Sequence, residues 1–277
     1  MNQILVPVDF SEVSFKALRF AESIADDGDT ILLLNVVDVP AIGMAEPYYA
    51  SADTMTGILN DLINSAEEKL KEAEKNITKN LNIKRIVEVG SPFDGIQKHL
   101  NNEHADLIVM GTQGASGLKE IFVGSNTEKA VRFSKCPVIA IPSDYNFDTV
   151  EKILMPTDLK DLTDEVLSNV RKMQEFYSAD LHFLWVHTPH LIENEKEVKE
   201  KITKLVKEHG LENFEVHIVR DVFPDIGILY YAQHIEADMI AMATHGRKGI
   251  AHLFTGSRAE DVVNHTTIPV WTFNLNK

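Results

Sequence analysis

The chain repeats itself. "ILVPVDFSEVSFKAL" (Ile4 to Leu18) returns as "ILMPTDLKDLTDEVL" (Ile153 to Leu167), so that Pro7 and Asp9 recur as Pro156 and Asp158, 149 positions on. Later, "ADLIVMGTQG" returns as "ADMIAMATHG" and Gly124-Ser125 as Gly256-Ser257, now 132 positions on. The offset shrinks because the first copy carries an extra stretch, "AIGMAEPYYASADTMTG". A duplication of this extent means that one pattern of elements folds twice, so an architecture must suit both copies or neither. The length of 277 residues also allows two cores. The copies predict domains over residues 1–144 and 150–277, with the polar "SDYNFDTVE" as their junction.

Within each copy, short apolar runs alternate with helical patterns. "QILVPVD", "TILLLNVV", "IKRIVEV", "ADLIVMG" and "PVIAIP" read as five strands of the first copy. "EKILMPTD", "DLHFLWVH", "FEVHIVR", "ADMIAMA" and "IPVWTF" are their counterparts in the second. "SFKALRFAESIA" reads as a helix, and "DTMTGILNDLINSAEEKLKEAEKNITKNL" as a long one with Ile58, Leu62, Ile63, Ala66 and Leu70 on one face. Ser91-Pro92 marks another helix start. "IKRIVEV" alternates more than its neighbours and belongs near an edge. Strands this apolar, separated by helices, need cover on both faces. That predicts an α/β fold of two tandem doubly wound parallel five-stranded sheets.

The formal charge of −15 argues against a nucleic-acid binder, which needs a basic face. An anion could then bind only through locally placed N–H groups and a few cations. "MNQILVPVDF" has no basic region ahead of its apolar run, so no secretory signal is expected. No apolar run reaches the roughly 20 residues of a membrane span, so no membrane partner is expected. The single cysteine, Cys136 in "SKCPVIAI", forms no internal disulfide, which suits a cytoplasmic location.

The spacing G-x2-G-x9-G-S after the fourth strand of the first copy points to phosphate. Gly111 and Gly114 allow close approach of backbone to a ligand. Gly124-Ser125 opens the last helix, where N–H groups without intrahelical partners and the helix dipole favour an anion. Ser125, Asn126 and Thr127 could hold phosphate oxygens. The pattern is not the G-x-x-x-x-G-K-[ST] phosphate loop, and no such sequence occurs in the chain. In open α/β sheets a ligand sits beyond the carboxyl ends of strands where the order reverses, so Asp9 and Gly111 should face one crevice. A bland alternative makes Asp9 and Asp158 helix caps.

Taken together, "ILVPVDFSEVSFKAL", the glycine-serine spacing and the closing "CPVIAIP" resemble the universal stress proteins, in tandem two-domain form over nearly the whole chain. The resemblance implies strand order 3-2-1-4-5 (an adenine-nucleotide α-hydrolase-like fold) and an intrachain pseudo-dimer made through the last strands. It implies adenine contacts from Pro7, Val8 and Asp9, and from the backbone after the second strand at Val37. Ribose and phosphate contacts would come from Gly111, Gly114, Gly124 and Ser125, with Gln113, Asn126 and Thr127 alongside. ATP, accompanied by magnesium, is the implied ligand; a homodimer is compatible with the pattern. In the second copy the matching positions are Pro156, Thr157, Asp158, Val186, Thr244, Gly246, Gly256 and Ser257, with His245 and Arg247 added near the phosphates. Ala243 replaces the first glycine. Alanine there costs affinity if the position needs positive φ, and otherwise only if its methyl meets the nucleotide.

"HFLWVHTPH" brings His187 and His190 close along the chain, but no zinc spacing accompanies them, so zinc is not expected and no metal site is assigned. No catalytic residue is assigned either. The leading reading is a nucleotide-binding stress or regulatory protein. It competes with a slow ATP hydrolase and with a nucleotide-free scaffold that binds a protein or small apolar ligand. Met44, Tyr48, Tyr49 and Met55 of the first-copy insertion are read as a lid.

Overall fold

The computed structural model describes residues 3–38, 52–102, 105–112, 125–146, 149–244, 262 and 266–274. The body of one compact unit runs to Ser143, and that of a second begins at Asp144. Among the described residues each unit carries five strands, all of the pairings within a unit parallel.

In the first unit the strands are β1 (Gln3–Pro7), β2 (Thr30–Val37), β3 (Asn82–Val89), β4 (Leu107–Gly111) and β5 (Val138–Ile141). Their spatial order is β3-β2-β1-β4-β5. The chain steps outward from β1 to β3, then resumes at β4 on the other side of β1. The order therefore reverses between β1 and β4. Ile4, Leu5 and Val6 of β1 and Ile31 to Leu34 of β2 are all buried. A strand needs such an unbroken apolar run when both of its faces are covered. Among the described residues β3 pairs only with β2, and none of its residues is fully buried, as suits the edge its sequence predicts.

The first helix, α1 (Glu12–Ile24), starts where Ser11 Oγ accepts a hydrogen bond from the Ser14 N–H at 3.2 Å. Ala17, Leu18, Ala21 and Ile24 recur at three and four spacing and form its buried stripe. The long helix α2 (Ala52–Lys75) stops six residues short of the pattern read from sequence. Its buried face is Ala66, Leu70 and Ala73, whereas Ile58 and Leu62 are exposed. At about 1.5 Å per residue, 24 residues make roughly 36 Å of helix. The eight-residue strands beneath are only about 26 Å long, so one end of α2 has no sheet to cover. The helices α3 (Pro92–Asn102) and α4 (Ser125–Phe133) complete the first unit's described elements.

The second unit repeats the plan. Its strands are β6 (Lys152–Pro156), β7 (Asp180–His187), β8 (Phe214–Arg220), β9 (Met239–Thr244) and β10 (Val270–Asn274), ordered β8-β7-β6-β9-β10. Its helices are α5 (Asp164–Tyr177), α6 (Glu195–Glu208) and α7 (Pro224–His234). Thr163 caps α5 by accepting from the Val166 N–H, and Asn194 caps α6 by accepting from the Lys196 and Glu197 N–H groups. No described helix is long and apolar enough to cross a membrane.

Gly111 closes β4, and its φ is not positive. A Cβ placed on it would lie 2.6 Å from Val13 Cγ1 and 3.2 Å from the Val13 backbone carbon. Glycine is therefore required so that α1 can pass close to the end of β4. We expect Gly111→Ala to destabilise the first unit by about 1–3 kcal/mol through overpacking. Adding Val13→Ala should return part of that loss, because it removes the nearest clash. Urea unfolding followed by circular dichroism, with Val13→Ala alone as reference, measures both.

Candidate functional site

The reversal between β1 and β4 opens a pocket at the carboxyl ends of the strands. Its volume is about 130 Å³, and it is lined by Pro7, Val8, Asp9, Asn35, Val36, Ile96, Met110, Gly111, Asn126 and Thr127 among others. β1 ends in Pro7, and the chain then turns sharply through Phe10, whose φ is +64°. The Asp9 carboxylate holds this turn: Oδ1 accepts from the Ser11 N–H at 3.0 Å and the Ser11 hydroxyl at 2.5 Å. Asp9 itself is exposed. Capping of α1 thus falls to Ser11, not to Asp9.

Two further hydrogen bonds shape the pocket. The buried Asn35 amide on β2 donates to the Val8 carbonyl at 2.7 Å and fixes the segment leaving β1. Across the pocket, the Thr127 hydroxyl donates to the Gly111 carbonyl at 2.7 Å and ties the first turn of α4 to the end of β4. That turn presents N–H groups with no partner inside the helix, and its dipole favours negative charge nearby. Val8, Val36, Ile96 and Met110 supply apolar walls. α3 approaches closely because Gly95 has no Cβ; one would sit 2.7 Å from Val36 Cγ2. The arrangement offers a flat apolar slot edged by a carboxylate, opening toward a helix N-terminus.

Of the first-copy residues singled out by sequence, Pro7, Val8, Asp9, Gly111, Asn126 and Thr127 meet around this pocket. Ser125 opens α4 and is exposed, outside the lining. On β2 the lining residue is Val36; Val37, expected to meet a base through its backbone, is outside the lining. Successive strand side chains face opposite ways, so a shift of one residue changes which one reaches the pocket. Gln113, Gly114 and Gly124 lie outside the described residues, as do Met44, Tyr48 and Tyr49 of the expected lid. Met55, the lid's fourth residue, begins the described part of α2's side chains and is half-buried. Sequence reading missed Asn35, Ser14, Ile96 and Met110, since nothing in their local pattern separates them from core positions.

The second unit builds the equivalent strand ends with different chemistry. Pro156 closes β6, and Thr157 N–H donates to the Leu184 carbonyl at 2.9 Å, as Val8 N–H does to Leu34 at 2.8 Å. Leu159 follows Asp158 with φ +74°, the counterpart of Phe10. Asp158 Oδ1 accepts from the Lys160 N–H at 2.9 Å and the Asp161 N–H at 3.3 Å, holding its turn as Asp9 does. The register places Leu184 beside Pro156 where Leu34 lies beside Pro7, so Val186 corresponds to Val36 and Trp185 stands where Asn35 is. Both are buried. Thr244 ends β9, while His245, Gly246, Arg247, Gly256 and Ser257 lie outside the described residues.

One buried acid belongs to this second strand end alone. Asp161 is buried and accepts a short hydrogen bond from the Thr157 hydroxyl. Burial pushes its carboxyl up to about 7, and the neighbouring Asp158 charge adds to the rise. The "HFLWVHTPH" stretch, from which no zinc site is expected, places His187 among groups of its own unit. His187 faces Glu195 at 2.8 Å and the Leu191 carbonyl at 3.1 Å, so both its ring nitrogens are engaged within the unit.

Three comparisons place these features among known proteins. The model of the universal stress protein family matches residues 1–142 and again 149–274. The chain is 31% identical over 156 residues to universal stress protein MJ0577 of Methanocaldococcus jannaschii, a match covering 50% of this chain and 94% of the relative. It is 30% identical over 145 residues to universal stress protein YxiE of Bacillus subtilis, covering 50% of this chain and 98% of the relative. Its fold is shared with a universal stress protein from Archaeoglobus fulgidus, at a TM-score of 0.74 and 22% identity over 99% of this chain and 96% of the other.

The raised Asp161 pKa makes a prediction about pH. A carboxyl whose folded pKa lies above its ordinary 3.8 stabilises the fold while protonated, and that contribution is lost as pH rises toward about 7. The second unit should therefore weaken between about pH 4 and pH 7. Asp161→Asn should remove on the order of 4 kcal/mol of this dependence. Trp185 and Trp271 are the chain's two tryptophans and both belong to the second unit, so their fluorescence during urea unfolding reads it selectively.

Proposed function

The chain belongs to the universal stress protein family, and from that premise we propose that its first unit binds an adenine nucleotide, ATP with magnesium foremost, as a regulatory ligand. The observation that carries this reading is the pocket between the ends of β1 and β4, with an apolar slot at one side and the start of α4 at the other. Adenine fits the slot among Val8, Val36, Ile96 and Met110, with its exocyclic N–H₂ toward the Asp9 carboxylate. The phosphates run to the first turn of α4, where N–H groups and the Asn126 amide donate to them. Gln113, Gly114, Gly124 and Ser125 complete the phosphate end in this reading.

Regulation suits the site better than rapid hydrolysis. The described lining supplies N–H groups, two side-chain amides and two hydroxyls rather than lysine or arginine. Fast phosphoryl transfer calls on cations and a positioned nucleophile at the γ-phosphate. Bound ATP would instead act by favouring whichever conformation holds it more tightly. A stress-response role in the cytoplasm belongs to the same proposal. The second unit is the weaker binder: Thr157 replaces Val8, Trp185 replaces Asn35, and the Thr157 hydroxyl is engaged with Asp161.

Asn126→Asp tests the phosphate end without changing shape. A carboxylate at the start of a helix is favourable for the helix, so the unit should stay folded. Its charge opposes a triphosphate but not a nucleoside. Calorimetric titration should show ATP affinity falling at least about tenfold, some 1.4 kcal/mol, while adenosine binds as before. Equal ATP affinity would remove the phosphates from α4. A wild-type chain that takes up neither ATP nor adenosine would overturn the proposal altogether.

A further inference from the structure

Away from the nucleotide pocket, the outer strands of the second unit bring together three side chains with metal-ligand chemistry. β7 and β8 run parallel with His182 opposite Glu215 and Leu184 opposite His217. Glu215 and His217 are two residues apart on β8 and share a face; His182, opposite Glu215, projects from the same face. One ligand atom from each of the three lies within 4.8 Å of the other two.

The separations are those of a coordination sphere. His182 Nδ1 lies 3.4 Å from His217 Nε2, and His217 Nε2 lies 3.0 Å from Glu215 Oε2. Nitrogen and oxygen ligands about 2.0–2.1 Å from a tetrahedral ion stand roughly 3.3 Å apart. We propose that His182, Glu215 and His217 form a site for a divalent transition-metal ion of the zinc class, open to solvent at the fourth position.

Hydrogen bonding alone leaves this cluster poorly served. His217 Nε2 faces a carboxylate and another ring nitrogen together, and the single proton it can carry satisfies one of them. An ion at the centre serves all three ligand atoms. The rings are fixed by packing: His182 and His217 stack at 5.5 Å between centroids, and Tyr231 of α7 lies 5.1 Å from His217. His217 keeps a quarter of its side chain exposed and Glu215 about two-thirds, so an ion and its water can reach the site. Two imidazoles with one carboxylate suit zinc, nickel, cobalt or copper and not magnesium or calcium, which seek oxygen. The assignment does not depend on nucleotide binding.

No zinc-type spacing in the sequence marks this site. His182 and His217 are 35 residues apart, and only the β7–β8 register joins them.

Titrating Zn²⁺ into the metal-stripped full chain by calorimetry, with Co²⁺ as the optical probe, tests the site. We expect one equivalent to bind, with a cobalt spectrum of low coordination number. His182→Gln or His217→Gln should each abolish that equivalent. Glu215→Gln, on an exposed side chain that the fold does not need, should weaken it at least about tenfold, and His190→Gln should leave it intact. Tryptophan fluorescence confirms that each variant is folded. Absence of the equivalent in wild type, its survival in His217→Gln and Glu215→Gln, or its loss in His190→Gln would overturn the proposal.

Discussion

Parallel pairing of β1 with β2 on one side and β4 on the other fixes what the first unit can do. Both neighbours leave β1 in the same direction, so three strand ends, Pro7, Val37 and Gly111, release their chains at one edge of the sheet. The helices that follow must diverge, because the strand order runs outward in opposite senses from β1. A gap results that no described helix fills. The hydrogen bonds from Asn35 to Val8 and from Thr127 to Gly111 brace its two rims. The first turn of α4 then gives the pocket a wall whose helix dipole favours negative charge, and no lysine or arginine lines the pocket among the described residues.

The second unit shows how far one backbone plan can be rewired. Its turn after β6 copies the turn after β1 down to a left-handed residue behind the aspartate, Phe10 in one and Leu159 in the other. The side chains diverge at once. Glu12 lies on the surface of α1, while its counterpart Asp161 is buried against Thr157. Asn35 becomes Trp185, which stacks on His187 at 4.9 Å. A polar brace has been exchanged for aromatic packing and a buried acid. Meanwhile the histidines of β7 and β8 gather a different set of ligands on the unit's far strands.

Most elements were legible in the sequence because their patterns report burial directly. Unbroken apolar runs mark the central strands, the alternation in "IKRIVEV" marks the edge, and the short capped helices show their stripes. α2 misled because Ile58 and Leu62 continue a helical stripe beyond the point where a sheet remains to be covered. Around the pocket, Pro7 and Asp9 stood out through the repeat, Val8 through the family resemblance, and Asn126 and Thr127 through their place at the start of the last helix. Asn35 did not, since a single polar residue in "TILLLNVV" gives no sign of the carbonyl it meets. Gly111 was legible as special but for another reason than the contact it makes: the Cβ it lacks would meet Val13 of α1.

By itself the sequence determined the duplication, the alternation of strands and helices, and the residues that end β1 and begin α4. These depend on periodicity and on local chain chemistry, which neighbours in the sequence decide. Tertiary structure decided which side chains converge: Asn35 beneath Val8, Val36 rather than Val37 at the pocket, and His182 across from Glu215 and His217. Each of those depends on strand register, where a shift by one residue turns every side chain to the opposite face.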